Sequence, residues 1–254
     1  MTRSELGAEV RNVRDGKDLI IAGAQQSRFQ PGAILTGETW DVLALARYAA
    51  PRRECRALML GVGGGTVVRI MRHQERSIQA DQIWGTLRWK WWGVDHNTCA
   101  IQAAKEHFAI DELGFEGSGV ANCDAAEYLG GCAAGTWDVI IDDCFDGPRK
   151  PGNKNAILWE AMRALAEDGL LVVNAVTYED RFYRYVLCGR YPSIVNLRLK
   201  GFANSIYFAS KSKDLTAERL GQQIARLSNE DLLPRVRRGL QIMDVAPRTA
   251  PPVG

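Results

Sequence analysis

Two rhythms of apolar positions alternate along this chain. Short unbroken apolar runs occur at 56–60 (RALML), 91–95 (WWGVD), 137–142 (WDVIID) and 170–173 (LLVV), with a weaker one at 119–121. Between them lie stretches with helical spacing: 66–73, with Val67, Val68, Ile70 and Met71; 97–108, with Ile101, Ala104 and Phe108; 125–129; and 155–166. Asn97 or Thr98 suits the start of the second helix, and Gly169 suits the end of the fourth. Continuous apolar strands separated by helices predict a mostly parallel sheet covered on both faces.

The flanks read differently. Runs at 194–200 and 205–210 alternate and are separated by Gly201-Phe-Ala-Asn204, which predicts an antiparallel pair at the sheet edge. Residues 215–240 read as a charged helical region broken near Pro234, and the proline-bearing stretch 247–254 as a disordered tail. Residues 1–50 read as a small unit with a strand at 18–21, a loop through Pro31-Gly32 and a helix at 39–49. The expected division is thus 1–50, a main domain at 51–246, and the tail.

Composition narrows the class. The 254 residues are 46% hydrophobic and 24% charged, proportions that suit a soluble globular chain with a real core. With 32 Lys plus Arg against 30 Asp plus Glu, the net charge of +2 argues against a nucleic-acid partner. No apolar run is long enough to span a membrane, and the polar start does not read as a secretory signal, so a cytoplasmic protein is expected. Six scattered cysteines without a CxxC pair read as reduced thiols, and three separated histidines give no metal site.

The chemistry gathers where strands end. Gly61, Gly63 and Gly65 follow the first buried strand and precede a helix, which lets backbone approach a ligand closely. Asp95 ends the next strand, where a carboxylate can accept ribose hydroxyls, and His96 beside it can reach ligand or solvent. Asp124 ends the third strand, where it can accept from an adenine amino group, and Ala125 opens the helix that follows. Asp142-Asp143-Cys144-Phe145-Asp146 ends the fourth, and Asp142 is counted with the cofactor set. The loop is GxGxG, neither the dinucleotide GxGxxG nor a P-loop. Carboxylates around it suit a positively charged nucleoside such as S-adenosylmethionine, with no metal expected.

These segments resemble a known family. ALMLGVGGGTVVRIM, WWGVDHNTCAIQAAKEHF, NCDAAEYL and WDVIIDDCFDG look like the successive motifs of the spermidine-synthase-like branch of class I S-adenosylmethionine-dependent transferases. LIIAGAQQSRF looks like that branch's N-terminal strand and glutamine-serine turn, which puts Gln26 on the substrate side. The resemblance implies a Rossmann-like fold with a small N-terminal β-unit and, often, a homodimer. It also implies that Gly61, Gly63 and Gly65 approach the methionine part, Asp95 the ribose and Asp124 the adenine. Asp143 falls at the catalytic aspartate, and Asp146 at a second acid for the amine substrate. Tyr178 follows the fifth strand, where substrate loops often lie.

Two departures bear on the reaction. Polyamine synthases of this branch read GGGDG in the loop, and their aspartate position is Gly64 here. Their DSSDP-like segment reads DCFDG. The expectation is therefore methyl transfer to a small-molecule acceptor, of amine or indole type. Aminopropyl transfer and a non-catalytic nucleoside-binding protein are the alternatives. A further departure, from the expected spacing, is length: 30 residues separate Gly65 from Asp95, where about 20 would suffice. Trp84, Trp89, Trp91 and Trp92 fall in that stretch, and packing, a pocket wall and a base-stacking platform are all open readings.

Overall fold

The computed structural model describes residues 7–80, 88–145 and 154–246, with the side chains of 76–80 excepted. The expected residues Trp84, Asp146 and the tail 247–254 lie outside the described residues. The chain opens with strands β1 (Ala8–Val13), β2 (Gly16–Ile21) and β3 (Ala24–Phe29), which form a small antiparallel sheet. Only β2 carries an apolar run. The polar β1 and β3 are strands because they pair with it on either side. Leu19 and Ile21 then bury against Ala100, Ala103 and Phe108 of the main domain.

Two short helices follow, α1 (Thr39–Leu43) and α2 (Ala46–Ala49), where one helix over 39–49 was expected. The main domain then runs β4 (Glu54–Leu60), α3 (Thr66–Ala80), β5 (Arg88–Asp95), α4 (Thr98–His107), a 3-10 turn (Ile110–Leu113) and β6 (Phe115–Asn122). It continues with α5 (Ala125–Gly130), β7 (Trp137–Asp142), α6 (Lys154–Ala164), β8 (Leu165–Ala175) and α7 (Asp180–Cys188). It closes with β9 (Ser193–Leu199), β10 (Ser205–Ser210), α8 (Ala217–Ala225), α9 (Pro234–Gly239) and β11 (Leu240–Asp244).

The large sheet has the order β11-β9-β10-β8-β7-β4-β5-β6. From β8 to β6 the neighbours are parallel, and β10, β9 and β11 are antiparallel to theirs. The mostly parallel α/β fold and its antiparallel edge pair are thus observed, and β11 extends the edge. That strand begins at Leu240, where the expected helical region ends, and was not expected: Leu240, Ile242 and Asp244 pair in register with Leu199, Leu197 and Val195. Gly169 is also not a helix cap. It lies in β8, whose pairing with β7 jumps from Trp137↔Leu165 to Val139↔Leu170, and a Cβ there would sit 2.6 Å from Leu165 Cγ.

Strand alternation divides the core. Ala57, Met59, Val139 and Ile141 face α1–α3 and α8, whereas Leu58, Leu60 and Ile140 face α5–α7. The tryptophans follow the same rule. Trp89 and Trp91, on one face of β5, are 2% and 0% exposed with ring centroids 5.4 Å apart; Trp92, on the other, meets Trp137 at 5.0 Å. These three are core packing. The extra length before Asp95 goes largely into a 15-residue helix and an 8-residue strand rather than an insertion. Among the described residues, no helix is long and apolar enough to cross a membrane.

Candidate active site

The chain leaves β4 towards β5 and β6 on one side, then returns to build β7 and β8 on the other. This reversal opens a crevice at the carboxyl ends of β4 and β7, where ligands of open α/β sheets bind. A cleft lies there, walled by the ends of β4, β5, β6 and β7 and by Ile21 and Gln26 of the N-terminal sheet.

The glycine loop is fixed from three directions. Gly61 has φ +75°, and a Cβ on it would lie 2.6 Å from the Asp143 carbonyl oxygen. At Gly63 (φ +52°) a Cβ would meet Ser27 Oγ at 2.8 Å. Gly64 donates its N–H to Ser27 Oγ at 2.7 Å, and a Cβ there would meet Phe108 Cδ1 at 2.8 Å and Ser27 Cβ at 2.9 Å. Glycine is therefore required by the packing of the loop itself.

Asp95 holds the loop from the β5 side. Its Oδ2 accepts the Gly63 N–H at 2.9 Å and its Oδ1 the Asn97 N–H at 2.9 Å. Asn97 in turn accepts from Ala100 N and caps α4, so the helix start and the loop share one carboxylate. A carboxylate offers about four acceptor positions. This grip on the backbone is compatible with accepting ribose hydroxyls from the cleft.

Asp143 lines the same cleft just past the end of β7, next to Gly61. Its Oδ1 accepts from Asn174 Nδ2 at 2.6 Å, and its backbone N–H donates to Leu60 O at 3.0 Å. Burial pushes its carboxyl up to about 7, assisted by Asp142; hydrogen bonds from Asn174 and Trp40 and the charge of Lys154 pull it back down. A carboxyl poised near neutrality and facing a cleft can take a proton from a reacting group.

Asp142 lies beneath the cleft rather than along it, at 2% exposure. It accepts from Cys144 N at 3.1 Å and Tyr183 OH at 3.3 Å, with Lys154 Nζ 4.0 Å away. Lys154 also donates to the Cys144 carbonyl. Burial alone would lower the Lys154 ammonium, yet Asp142, Glu179 and Asp143 together hold it above its usual range. The Cys144 thiol lines the cleft, but burial and Asp142 push it well above its usual range, so it is a poor nucleophile.

Of the expected site residues, Gly61, Gly63, Asp95, His96, Ala125, Asp143 and Gln26 line this one cleft. Gly65 does not; with φ +77°, its α-carbon faces Leu113, whose Cδ1 would lie 2.5 Å from a Cβ. Asp124 caps α5 by accepting from Ala126 N at 2.8 Å, and its neighbours Cys123 and Ala125 line the wall. Tyr178 is 54% exposed and lies outside the lining. Ser27, Trp40, Lys154 and Asn174 are the functional neighbours that the sequence did not single out. Only the glutamine-serine turn pointed near one of them.

Several residues fit a nucleoside donor. Gln26 Nε2 is buried without a hydrogen-bond partner, and a ligand oxygen would satisfy it. Val94 and Ile21 supply apolar wall for a base. Among the described residues, no group of three or more His, Cys, Asp or Glu side chains is arranged to hold a metal ion.

No protein-family model and no curated protein matches this chain. Solved structures do. The chain is similar to a probable spermidine synthase from Corynebacterium glutamicum ATCC 13032, at 17% identity and a TM-score of 0.66, covering 94% of this chain and 87% of that one. It is similar to a spermidine synthase in complex with the transition state analogue AdoDATO, at 19% identity and a TM-score of 0.59, over 83% and 72% of the two chains. Spermidine synthase from Thermotoga maritima gives 17% and 0.59, over 86% and 73%. At such identities the likeness is one of fold. The architecture is thus a Rossmann-like α/β fold shared with these spermidine synthase structures.

Proposed function

We propose that this protein is a methyltransferase that uses S-adenosylmethionine and a small-molecule acceptor, with Asp143 as the general base. The observation that carries the reading is what lines one cleft: a glycine loop held by Asp95 and, beside it, a carboxyl whose pKa is pushed up to about 7. In the reaction the acceptor's lone pair forms a bond to the methyl carbon as the carbon–sulfur bond breaks. The electrons of that bond go to sulfur, which leaves S-adenosylhomocysteine, and the acceptor's proton goes to Asp143. Alignment and exclusion of water do most of the remaining work, because the sulfonium already activates the methyl group.

Methyl rather than aminopropyl transfer is supported by Gly64. The aspartate that polyamine synthases of the resembled branch carry there has no room beside Phe108 and Ser27. Aminopropyl transfer from decarboxylated S-adenosylmethionine is the second reading, supported by the likeness to spermidine synthases over most of the chain. The test is calorimetric titration with both donors, followed by identification of the nucleoside product. Preference for S-adenosylmethionine and release of S-adenosylhomocysteine are expected. Preference for the decarboxylated donor with release of methylthioadenosine overturns the reading.

A further inference from the structure

The Gly201-Phe-Ala-Asn204 turn between β9 and β10 delivers one polar side chain towards the candidate base. In the antiparallel register of β10 on β8, Ile206 pairs with Asn174, so Asn204 is its diagonal neighbour on the same face. Asn204 Nδ2 donates to Asn174 Oδ1 at 2.8 Å, and Asn174 Nδ2 donates to Asp143 Oδ1 at 2.6 Å. Both asparagines are half-buried, and the turn is held against the end of β8 by Thr177 Oγ1 donating to Ala203 O at 3.0 Å.

The direction of this chain matters. An asparagine amide has a donor end and an acceptor end, and it can present either one. A carboxylate needs the donor end, whereas a protonated carboxyl can donate to the acceptor end. Because the oxygen of Asn174 is engaged by the Asn204 N–H, its NH₂ is turned to Asp143. The geometry points to Asn204 as a positioning residue: through Asn174 it holds Asp143 as a hydrogen-bond acceptor, the form that takes a proton. This rests on the base role proposed for Asp143.

The other groups facing Asp143 do not supply this function. Asp142, from β7, opposes ionisation; Lys154 at the start of α6 favours it by charge; Trp40 of α1 donates a hydrogen bond to it. None of them controls which end of Asn174 is presented. Glu179, before α7, acts on Lys154 rather than on this amide.

The test is a ¹³C titration of the Asp143 carboxyl in the full chain, assigned with Asp143→Asn, alongside the pH profile of turnover. Asn204→Asp replaces the donor with an acceptor and reverses the Asn174 amide. The carboxyl midpoint should rise by about one pH unit, and the acid-side limb of the profile should move with it. Asn204→Ala removes the donor without adding charge and should raise the midpoint by a smaller amount. It also carries the test if the aspartate variant fails to fold.

An unchanged midpoint in Asn204→Ala overturns the inference, even if Asn204→Asp shifts it, because that pattern reduces to through-space charge. The titration needs no substrate. Absence of turnover with a normal titration series therefore counts against the proposed reaction and leaves the asparagine relay standing.

Discussion

Asp95 accepts the backbone N–H of Gly63 and that of Asn97 at 2.9 Å each, so one carboxylate ties the glycine loop to the start of α4. An amide cannot serve both donors, because one end of it is itself a donor. Asp95→Asn should therefore weaken donor binding by about 10- to 100-fold, the loss of a charge-assisted hydrogen bond at a partly buried site. Calorimetry with S-adenosylmethionine checks this, and an unchanged affinity would exclude Asp95 from the donor site.

Asp143→Asn should lower turnover by about 100- to 10,000-fold while donor affinity stays within a few-fold. In the wild type, activity should rise with pH through a midpoint near 7, as the carboxyl gives up its proton. Rate–pH profiles of the two proteins decide the matter.

The same carboxyl makes a stability prediction. Its pKa is raised from 3.8 to about 7 on folding, so the folded state holds a proton that the unfolded state has already lost. Stability from this group is complete below about pH 4 and is lost as pH rises through 7. Asp143→Asn should consequently melt at a higher temperature than the wild type at pH 8, and the gap should close towards pH 4. Scanning calorimetry across that range is the measurement.

Gly64→Asp, which restores the acid of the polyamine synthases, should not restore their chemistry. The new Cβ meets the Phe108 ring and Ser27, and overpacking of this kind costs about 1–3 kcal/mol. A lower melting temperature is expected without turnover of decarboxylated S-adenosylmethionine. A stable variant that transfers aminopropyl groups would reverse the assignment of the loop.

Trp91→Ala should destabilise the protein by about 3–5 kcal/mol, because the side chain is fully buried against Trp89 and the helices beneath it. Denaturant unfolding checks the loss. An effect on acceptor binding with normal stability would revive the pocket-wall reading.

The main domain was legible because its parallel strands are continuous apolar runs and its helices carry clear spacing. The losses have a common cause. β1, β3 and β11 are edge or near-edge strands that owe their state to a partner far away in sequence. Val10 is a strand residue because Leu19 pairs with it, and Ile242 because Leu197 does. Gly169 looks like a cap in sequence, but what requires glycine there is the Leu165 side chain pressed against it at the irregular pairing of β8 on β7.

The site divides along the same line. Residues that follow their own strand, such as Gly61, Asp95 and Asp143, are readable from strand ends. Ser27, Asn174, Asn204 and Trp40 reach the site through packing between segments, and no spacing rule announces them.

The glycine loop joins three bodies within four residues: Gly61 abuts the Asp143 backbone, Gly63 sits on Ser27, and Gly64 on Phe108. It is a junction as well as a cradle. The N-terminal sheet is consequently part of the foundation of the proposed donor site, whose loop is held in place by its own packing. Re-engineering the loop for a different nucleotide would also unfasten the small sheet from the large one, so specificity and architecture cannot be altered independently at these positions.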